Sequence, residues 1–161
     1  MRRRPSRSPA VALVAAGVCL ALSGCSRGVP VPPPEPQPSG SAYFACANLK
    51  ADLPEQVLGN NTTATTPWSS LTTAWGDPAI VLRCGVPAPA ALTPTSQLIT
   101  IDGVAWFPEQ LERGYLFTTY GLSLNVEVSV PSAYAPEADA LTEISRSIAE
   151  SIPAASPSPS P

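Results

Sequence analysis

The stretch Leu122–Val130, which reads LSLNVEVSV, decides the fold class of this chain. Apolar and polar residues alternate along it, and the apolar set is Leu122, Leu124, Val126, Val128 and Val130. Successive side chains of a strand point to opposite faces, so this pattern predicts a strand with one buried and one solvated face. Such strands are typical of an antiparallel sheet that covers a core on one side.

Three further segments predict strands around it. Ala79–Gly85 is a short apolar run that follows a Gly-Asp-Pro turn, and Tyr115–Gly121 (YLFTTYG) is rich in β-branched and aromatic residues. Asp102-Gly103 lies between apolar flanks, which is a strong local signal for a hairpin.

Two helices are predicted on either side of these strands. Ala45–Asp52 reads as a short helix that ends before Pro54. Pro136–Ile152 reads as an amphipathic helix with an apolar stripe made of Leu141, Ile144, Ile148 and Ile152. The predicted fold class is therefore α+β: an antiparallel sheet with both helices on one face, in a single domain over residues 43–152.

The N-terminus has the pattern of an export signal. A basic stretch, Arg2–Arg7, precedes a 13-residue apolar run, Ala10–Leu22, which is too short to span a bilayer as a helix. The following Leu22-Ser23-Gly24-Cys25 resembles a bacterial lipobox. We expect a lipoprotein signal peptide over residues 1–24 and a diacylglyceryl group on Cys25; the alternative is an ordinary secretory signal cut near Gly24.

The segments outside the domain are rich in proline. Residues 25–42 are predicted to form a disordered or polyproline stalk, which could hold the domain roughly 50 Å from the lipid. Residues 153–161 (PAASPSPSP) are predicted to be a disordered tail.

Cys46 and Cys84 are the cysteines that remain besides Cys25 once the signal is removed. Two cysteines in an exported domain most simply form a disulfide, which here would join the first helix to the Ala79 strand. The chain has no histidine, and no metal site or cofactor is predicted.

No catalytic motif is found, and an enzyme is not predicted. The absence of histidine excludes the usual triads, and no phosphate-binding loop or nucleophile elbow is present. One interpretation is that Trp68, Trp75 and Trp106 line a ligand groove in which Arg83 or Arg113 supplies a charge. The alternative is that these tryptophans simply form the core.

Charge excludes nucleic acid as a partner. Four of the nine basic residues precede Ala10, so cleavage before Cys25 leaves five basic against twelve acidic residues and a net charge of −7. Binding to nucleic acid needs clustered Lys and Arg.

The runs CANLKADLPEQVLG, WGDPAIVLRCGVP, GVAWF, FTTYG and VEVSVP together resemble a domain-of-unknown-function family of small two-cysteine envelope proteins from actinobacteria. The resemblance covers Cys46 to Ile152, and its most specific part is Trp75-Gly76-Asp77-Pro78 with Arg83-Cys84-Gly85. It implies an exported, membrane-anchored domain with Cys46 and Cys84 paired, and it supplies no catalytic residues.

The sequence thus predicts a lipoprotein anchored through Cys25 on the outer face of the cytoplasmic membrane. Its predicted role is that of a non-catalytic interaction module in the cell envelope, with an envelope protein as partner. The alternative is a protein that binds a small molecule or a glycan through an aromatic groove.

Overall fold

The computed structural model describes residues 28–156 of the chain. The predicted signal peptide, Cys25 and residues 157–161 lie outside the described residues. The elements in chain order are β1 Val29–Pro30, α1 Ser41–Asp52, β2 Gln56–Val57, β3 Asn60–Thr63, β4 Thr65–Thr66, β5 Thr72–Trp75, β6 Ile80–Val86, β7 Ile99–Ile101, β8 Val104–Leu111, β9 Gly114–Tyr120, β10 Asn125–Pro131, a 3-10 turn Ser132–Tyr134 and α2 Asp139–Ser151.

Eight of these strands form one sheet in the order β2-β3-β5-β6-β10-β9-β8-β7, and every neighbouring pair is antiparallel. The central strand β10 contains most of the alternating stretch. Its residues Val126, Val128 and Val130 are at most 1% exposed, so the predicted buried face is confirmed. The strand begins at Asn125, and Leu122 and Leu124 precede it as half-buried residues.

The predicted hairpin at Asp102-Gly103 is confirmed as the β7–β8 turn. Both turn residues have positive φ, 48° at Asp102 and 81° at Gly103. Two-residue hairpins of type I′ require this conformation at both positions, and Asp-Gly adopts it at low steric cost.

Both helices pack on one face of the sheet, which confirms the predicted α+β fold. Strand pairing puts Cys84, Val126, Thr119 and Trp106 on the same face. Cys84 is bonded there to Cys46 of α1, and Trp106 Nε1 donates to Ser145 Oγ of α2 at 3.2 Å.

Both helices begin at a different residue from the one predicted. Helix α1 begins at Ser41, four residues earlier than expected, directly after Gly40, whose φ is 58°. Helix α2 begins at Asp139 because Pro136–Ala138 form a turn before it, in which the amide of Asp139 donates to Pro136 O at 3.0 Å.

The predicted stalk over residues 25–42 is wrong for its described part, because residues 28–34 and Pro38 contact the domain and residues 41–42 belong to α1. β1 pairs with β4 in parallel, and the amides of Val29 and Val31 donate to Ala64 O at 2.8 Å and Thr66 O at 3.0 Å. Pro30 lies between these two donors, so the N–H that it lacks is not needed for the pairing. Val31 is only 2% exposed.

The rest of the proline-rich segment also lies against the domain. Pro34 is buried, and the ring of Pro38 covers Gly85. Gly85 has φ 87° at an irregularity in the β6–β10 pairing, and a Cβ there would lie 2.6 Å from Pro38 Cγ. Glycine at position 85 therefore allows both the backbone conformation and the close approach of the proline.

The start of the predicted disordered tail is likewise ordered. The amide of Ser123 donates to Pro153 O at 2.8 Å, and the amide of Ala155 donates to Gly121 O at 2.9 Å. The prediction of disorder from residue 153 is thus wrong for residues 153–155, and the folded unit is wider at both ends than the predicted 43–152.

Candidate functional site

The structure does not bring the three tryptophans into one groove. Trp75 and Trp106 are fully buried in the core, and only Trp68 is accessible, at 75% exposure. The indole N–H of Trp75 donates to Pro54 O at 3.0 Å, so this polar atom has a partner inside the protein, as that of Trp106 has in Ser145. The prediction of a groove lined by Trp75 and Trp106 is therefore wrong.

Arg83 is not a free cation for an anionic ligand either. It faces Glu127 across the β6–β10 pair, and its Nε lies 2.6 Å from Glu127 Oε1. The side chain of Glu127 is the more buried of the two, at 13% exposure against 31%. The charge of Arg83 is thus neutralised by a structural partner.

A cleft of about 460 Å³ lies beside Trp68, and we call it the Trp68 cleft. It runs between the C-terminal part of α1 and the pair of strands β3 and β5, whose connection contains β4. Its polar and aromatic lining includes Lys50, Glu55, Thr63, Thr65, Trp68 and Thr73.

Lys50 positions the loop that carries Trp68. Its Nζ donates to Ser69 O at 2.6 Å and to Thr72 O at 2.9 Å, and it lies 5.1 Å from the centre of the Trp68 ring. Burial lowers the pKa of this amine. Because the amine bonds two backbone carbonyls that follow Trp68 in the chain and also lies near the ring, Trp68 is held over the cleft despite its exposure.

Two neighbouring threonines near the cleft differ in how their hydroxyls are satisfied. The hydroxyl of Thr72 lies 3.2 Å from that of Thr65, and the two share a hydrogen bond. The Oγ1 of Thr73, a residue only 7% exposed, has no hydrogen-bond partner. A buried hydroxyl without a partner costs free energy, so Thr73 is a position where the fold is not optimised for stability.

The predicted disulfide is confirmed. Cys46 in α1 and Cys84 in β6 are bonded, with their Cα atoms 5.6 Å apart. The bond joins the helix to the sheet, as expected from the sequence. Within residues 28–156, no group of three or more His, Cys, Asp or Glu side chains is arranged to hold a metal ion, and no helix there is long and apolar enough to cross a membrane.

Sequence reasoning missed Lys50, Thr73 and the strands that surround them. A signal was present, because Asn60–Trp75 is rich in threonine, a β-branched residue that favours strands. The run lacks the alternation of apolar and polar residues that marks β10, since threonine occupies both faces.

The fold and the cleft define a small α+β domain, braced by one disulfide, with an accessible aromatic cleft. The chain belongs to a family of proteins of unknown function, DUF3515, whose model matches residues 9–157. This match confirms the resemblance to a domain-of-unknown-function family and extends over the docked N-terminal segment. Comparison with the curated proteins and with the solved structures finds no match.

Proposed function

We propose that the protein is a lipoprotein on the outer face of the cytoplasmic membrane, anchored by a diacylglyceryl group on Cys25. The observation that carries this proposal is the lipobox pattern Leu22-Ser23-Gly24-Cys25 behind an apolar run of signal-peptide length. The Cys46–Cys84 bond supports it, because structural disulfides persist mainly in oxidising compartments outside the cytosol.

The anchoring is tested by metabolic labelling with palmitate and by cell fractionation of the full-length chain. We expect label and membrane retention in the wild type and their loss in Cys25→Ser. Cys19→Ser is the matched control, since Cys19 lies inside the apolar run and leaves with the signal. Label that persists in Cys25→Ser, or that is lost in Cys19→Ser, contradicts the assignment.

The proposed role of the anchored domain is that of a non-catalytic interaction module in the cell envelope. The support is the combination of a tether with a sequence that lacks histidine and any recognised catalytic motif. Chemical crosslinking in intact cells, followed by mass spectrometry, tests this role. One dominant envelope protein, crosslinked to the wild type and weakly to Cys25→Ser, is the expected result; no partner above background contradicts it.

A second candidate function, binding of a glycan or another small molecule, is favoured by the Trp68 cleft. An accessible indole offers a flat apolar face on which a sugar ring can stack, and the exposed Thr62 and Thr63 of the lining offer hydroxyls for hydrogen bonds. The amine of Lys50 at the cleft is already bonded to two backbone carbonyls, and the lining also contains the acidic Glu55, which together favour an uncharged ligand.

This candidate is tested by titrating the Cys25→Ser chain with oligomers of N-acetylglucosamine while tryptophan fluorescence is measured. Because Trp75 and Trp106 are buried, we expect the change in fluorescence to come from Trp68. Trp68→Ala then abolishes the response, and Phe44→Ala, which removes another exposed aromatic ring (65% exposed), leaves it unchanged. Equal responses from Trp68→Ala and the wild type contradict binding at the cleft.

A further inference from the structure

The chain enters the folded domain at a fixed point. Gly28 lies so close to β4 that a Cβ on it would be 2.7 Å from Ala64 O. The next residues form β1 and continue into the buried Val31, so the position of Gly28 is set by backbone hydrogen bonds and by packing. The proline-rich segment thus begins against the sheet and not at a distance from it.

The direction of β1 indicates which end of the domain the preceding chain leaves. β1 runs parallel to β4, with Val29 opposite Thr65, so the chain before Gly28 leaves on the side of Thr63. Thr63 pairs with Ala74 near the end of β5. Gly28 also lines one shallow depression together with Gly76 and Asp77. The chain before Gly28 therefore leaves the domain beside the β5–β6 turn, residues 76–79.

The distance from this exit to Cys25 is short. Three peptide units separate Cys25 from Gly28, and they span at most about 11 Å even when fully extended. The headgroup region of one leaflet is itself roughly 5–8 Å thick. With the lipid of Cys25 in the membrane, the gap between the membrane and the domain is thus comparable with the thickness of one headgroup layer. A free stalk of residues 25–42 would allow a gap of roughly 50 Å.

We propose that the β5–β6 turn is the membrane-facing end of the domain and lies against the phospholipid headgroups. The inference rests on the proposed lipidation of Cys25. Residues 76–79 contain the acidic Asp77 and no Lys or Arg to attract anionic lipid. The contact with the headgroups is therefore imposed by the short tether and not by electrostatic attraction. Trp68 precedes β5, whose four residues span about 13 Å, so the Trp68 loop is held at the end away from the lipid.

The orientation is tested with the lipidated full-length chain in vesicles of phosphatidylethanolamine and phosphatidylglycerol. A fluorophore is attached to one introduced cysteine, at Asp77→Cys in the β5–β6 turn or at Ser70→Cys in the Trp68 loop. Lipids with a spin-labelled headgroup quench a fluorophore that is near the surface. We expect the label at position 77 to be quenched several-fold more strongly than the label at position 70.

Gly28→Val provides a second variant with a different expected result. A valine side chain collides with Ala64 O, so β1 separates from β4 and the effective tether becomes longer. The difference in quenching between positions 77 and 70 then shrinks, while the disulfide-braced domain keeps its circular dichroism spectrum.

Two outcomes overturn the proposal, and they are distinguishable by the mass of the purified chain. Equal quenching at both positions, or stronger quenching at position 70, in a chain whose mass includes the lipid overturns the orientation and leaves the anchoring intact. A chain that carries no lipid on Cys25 and does not sediment with the vesicles overturns the anchoring and the orientation together.

Discussion

The amine of Lys50 lies 5.1 Å from the centre of the Trp68 ring and donates hydrogen bonds to the backbone carbonyls of Ser69 and Thr72, which follow this ring in the chain. One side chain of α1 thereby fixes both the conformation of the β4–β5 loop and the position of an exposed aromatic ring. Lys50 is the only lysine of the chain, so no other lysine amine titrates in the same pH range.

Replacing Lys50 with methionine is expected to destabilise the domain. The variant loses two hydrogen bonds from a partly buried amine and the contact with Trp68, a loss of about 2 kcal/mol in the free energy of unfolding. Urea unfolding followed by circular dichroism measures the change. Arg146→Met is the matched control, because the Arg146–Glu150 ion pair is exposed and should be worth only about 0.3–0.5 kcal/mol. Equal losses in the two variants would contradict a positioning role for Lys50.

The lowered pKa of Lys50 also predicts a specific dependence of stability on pH. Burial lowers the pKa of the amine in the folded state below that in the unfolded state, so the unfolded chain binds more protons between the two values. The free energy of unfolding contributed by Lys50 therefore rises with pH through this window, which ends near the ordinary lysine value of about 10.4. The measurement is the stability of the wild type minus that of Lys50→Met across alkaline pH, and a difference that falls as the pH rises would contradict the prediction.

The Cys46–Cys84 bond is expected to contribute strongly to stability. The two residues are 38 positions apart, and the chain-entropy model gives about 4 kcal/mol for a closed loop of this length. The Cys46→Ala, Cys84→Ala double variant should lose this amount in urea unfolding. Wild-type protein with its disulfide reduced serves as the control and should match the variant, whereas a double variant as stable as the oxidised wild type would contradict a structural role.

The parts of the fold that the sequence predicted are those encoded by local patterns. The alternation at Val126, Val128 and Val130 and the positive φ at Asp102 and Gly103 each depend on a few neighbouring residues. The strand, its buried face and the hairpin follow from those residues alone, and so they could be predicted without knowledge of the rest of the chain.

The parts that were missed depend on partners distant in sequence. A proline such as Pro30 predicts an unpaired chain, yet the amides on either side of it bind β4, more than thirty residues further along. The same limit applies to the cleft. Composition does not distinguish Trp68 from Trp75 or Trp106, because the difference lies in whether a distant oxygen, such as Pro54 O, is placed to accept the indole N–H.

Breaking the ion pair between Arg83 and Glu127 is expected to cost a different amount of stability depending on which of the two residues is replaced. Glu127 is the more buried partner, so Arg83→Met leaves a carboxylate with little solvent and no cation. We expect Arg83→Met to lower the free energy of unfolding by about 1–2 kcal/mol and Glu127→Gln by less, because the arginine left behind retains more contact with water. A double-mutant cycle with urea unfolding gives the coupling between them. A coupling near zero would contradict a stabilising ion pair between these two side chains.

Thr73→Val is expected to stabilise the domain. Valine has nearly the same shape as threonine, and it removes a buried hydroxyl that has no hydrogen-bond partner, so we expect a gain of about 1 kcal/mol in the free energy of unfolding. Thr72→Val is the matched control on the neighbouring residue. That change breaks the bond between the hydroxyls of Thr72 and Thr65 and leaves Thr65 unsatisfied, with an expected loss of about 1–2 kcal/mol.

Urea unfolding of both variants, with and without N-acetylglucosamine oligomers, separates stability from binding at the Trp68 cleft. Because the hydroxyl of Thr73 is buried, a ligand in the cleft does not contact it, so Thr73→Val is expected to be more stable than the wild type when free and to gain the same stability from the oligomers. A loss of stability in Thr73→Val without ligand would contradict the unsatisfied state of this hydroxyl. A smaller gain from the oligomers in Thr73→Val than in the wild type would contradict the burial of the hydroxyl in the bound state, because only a ligand that contacts the hydroxyl binds the valine variant more weakly.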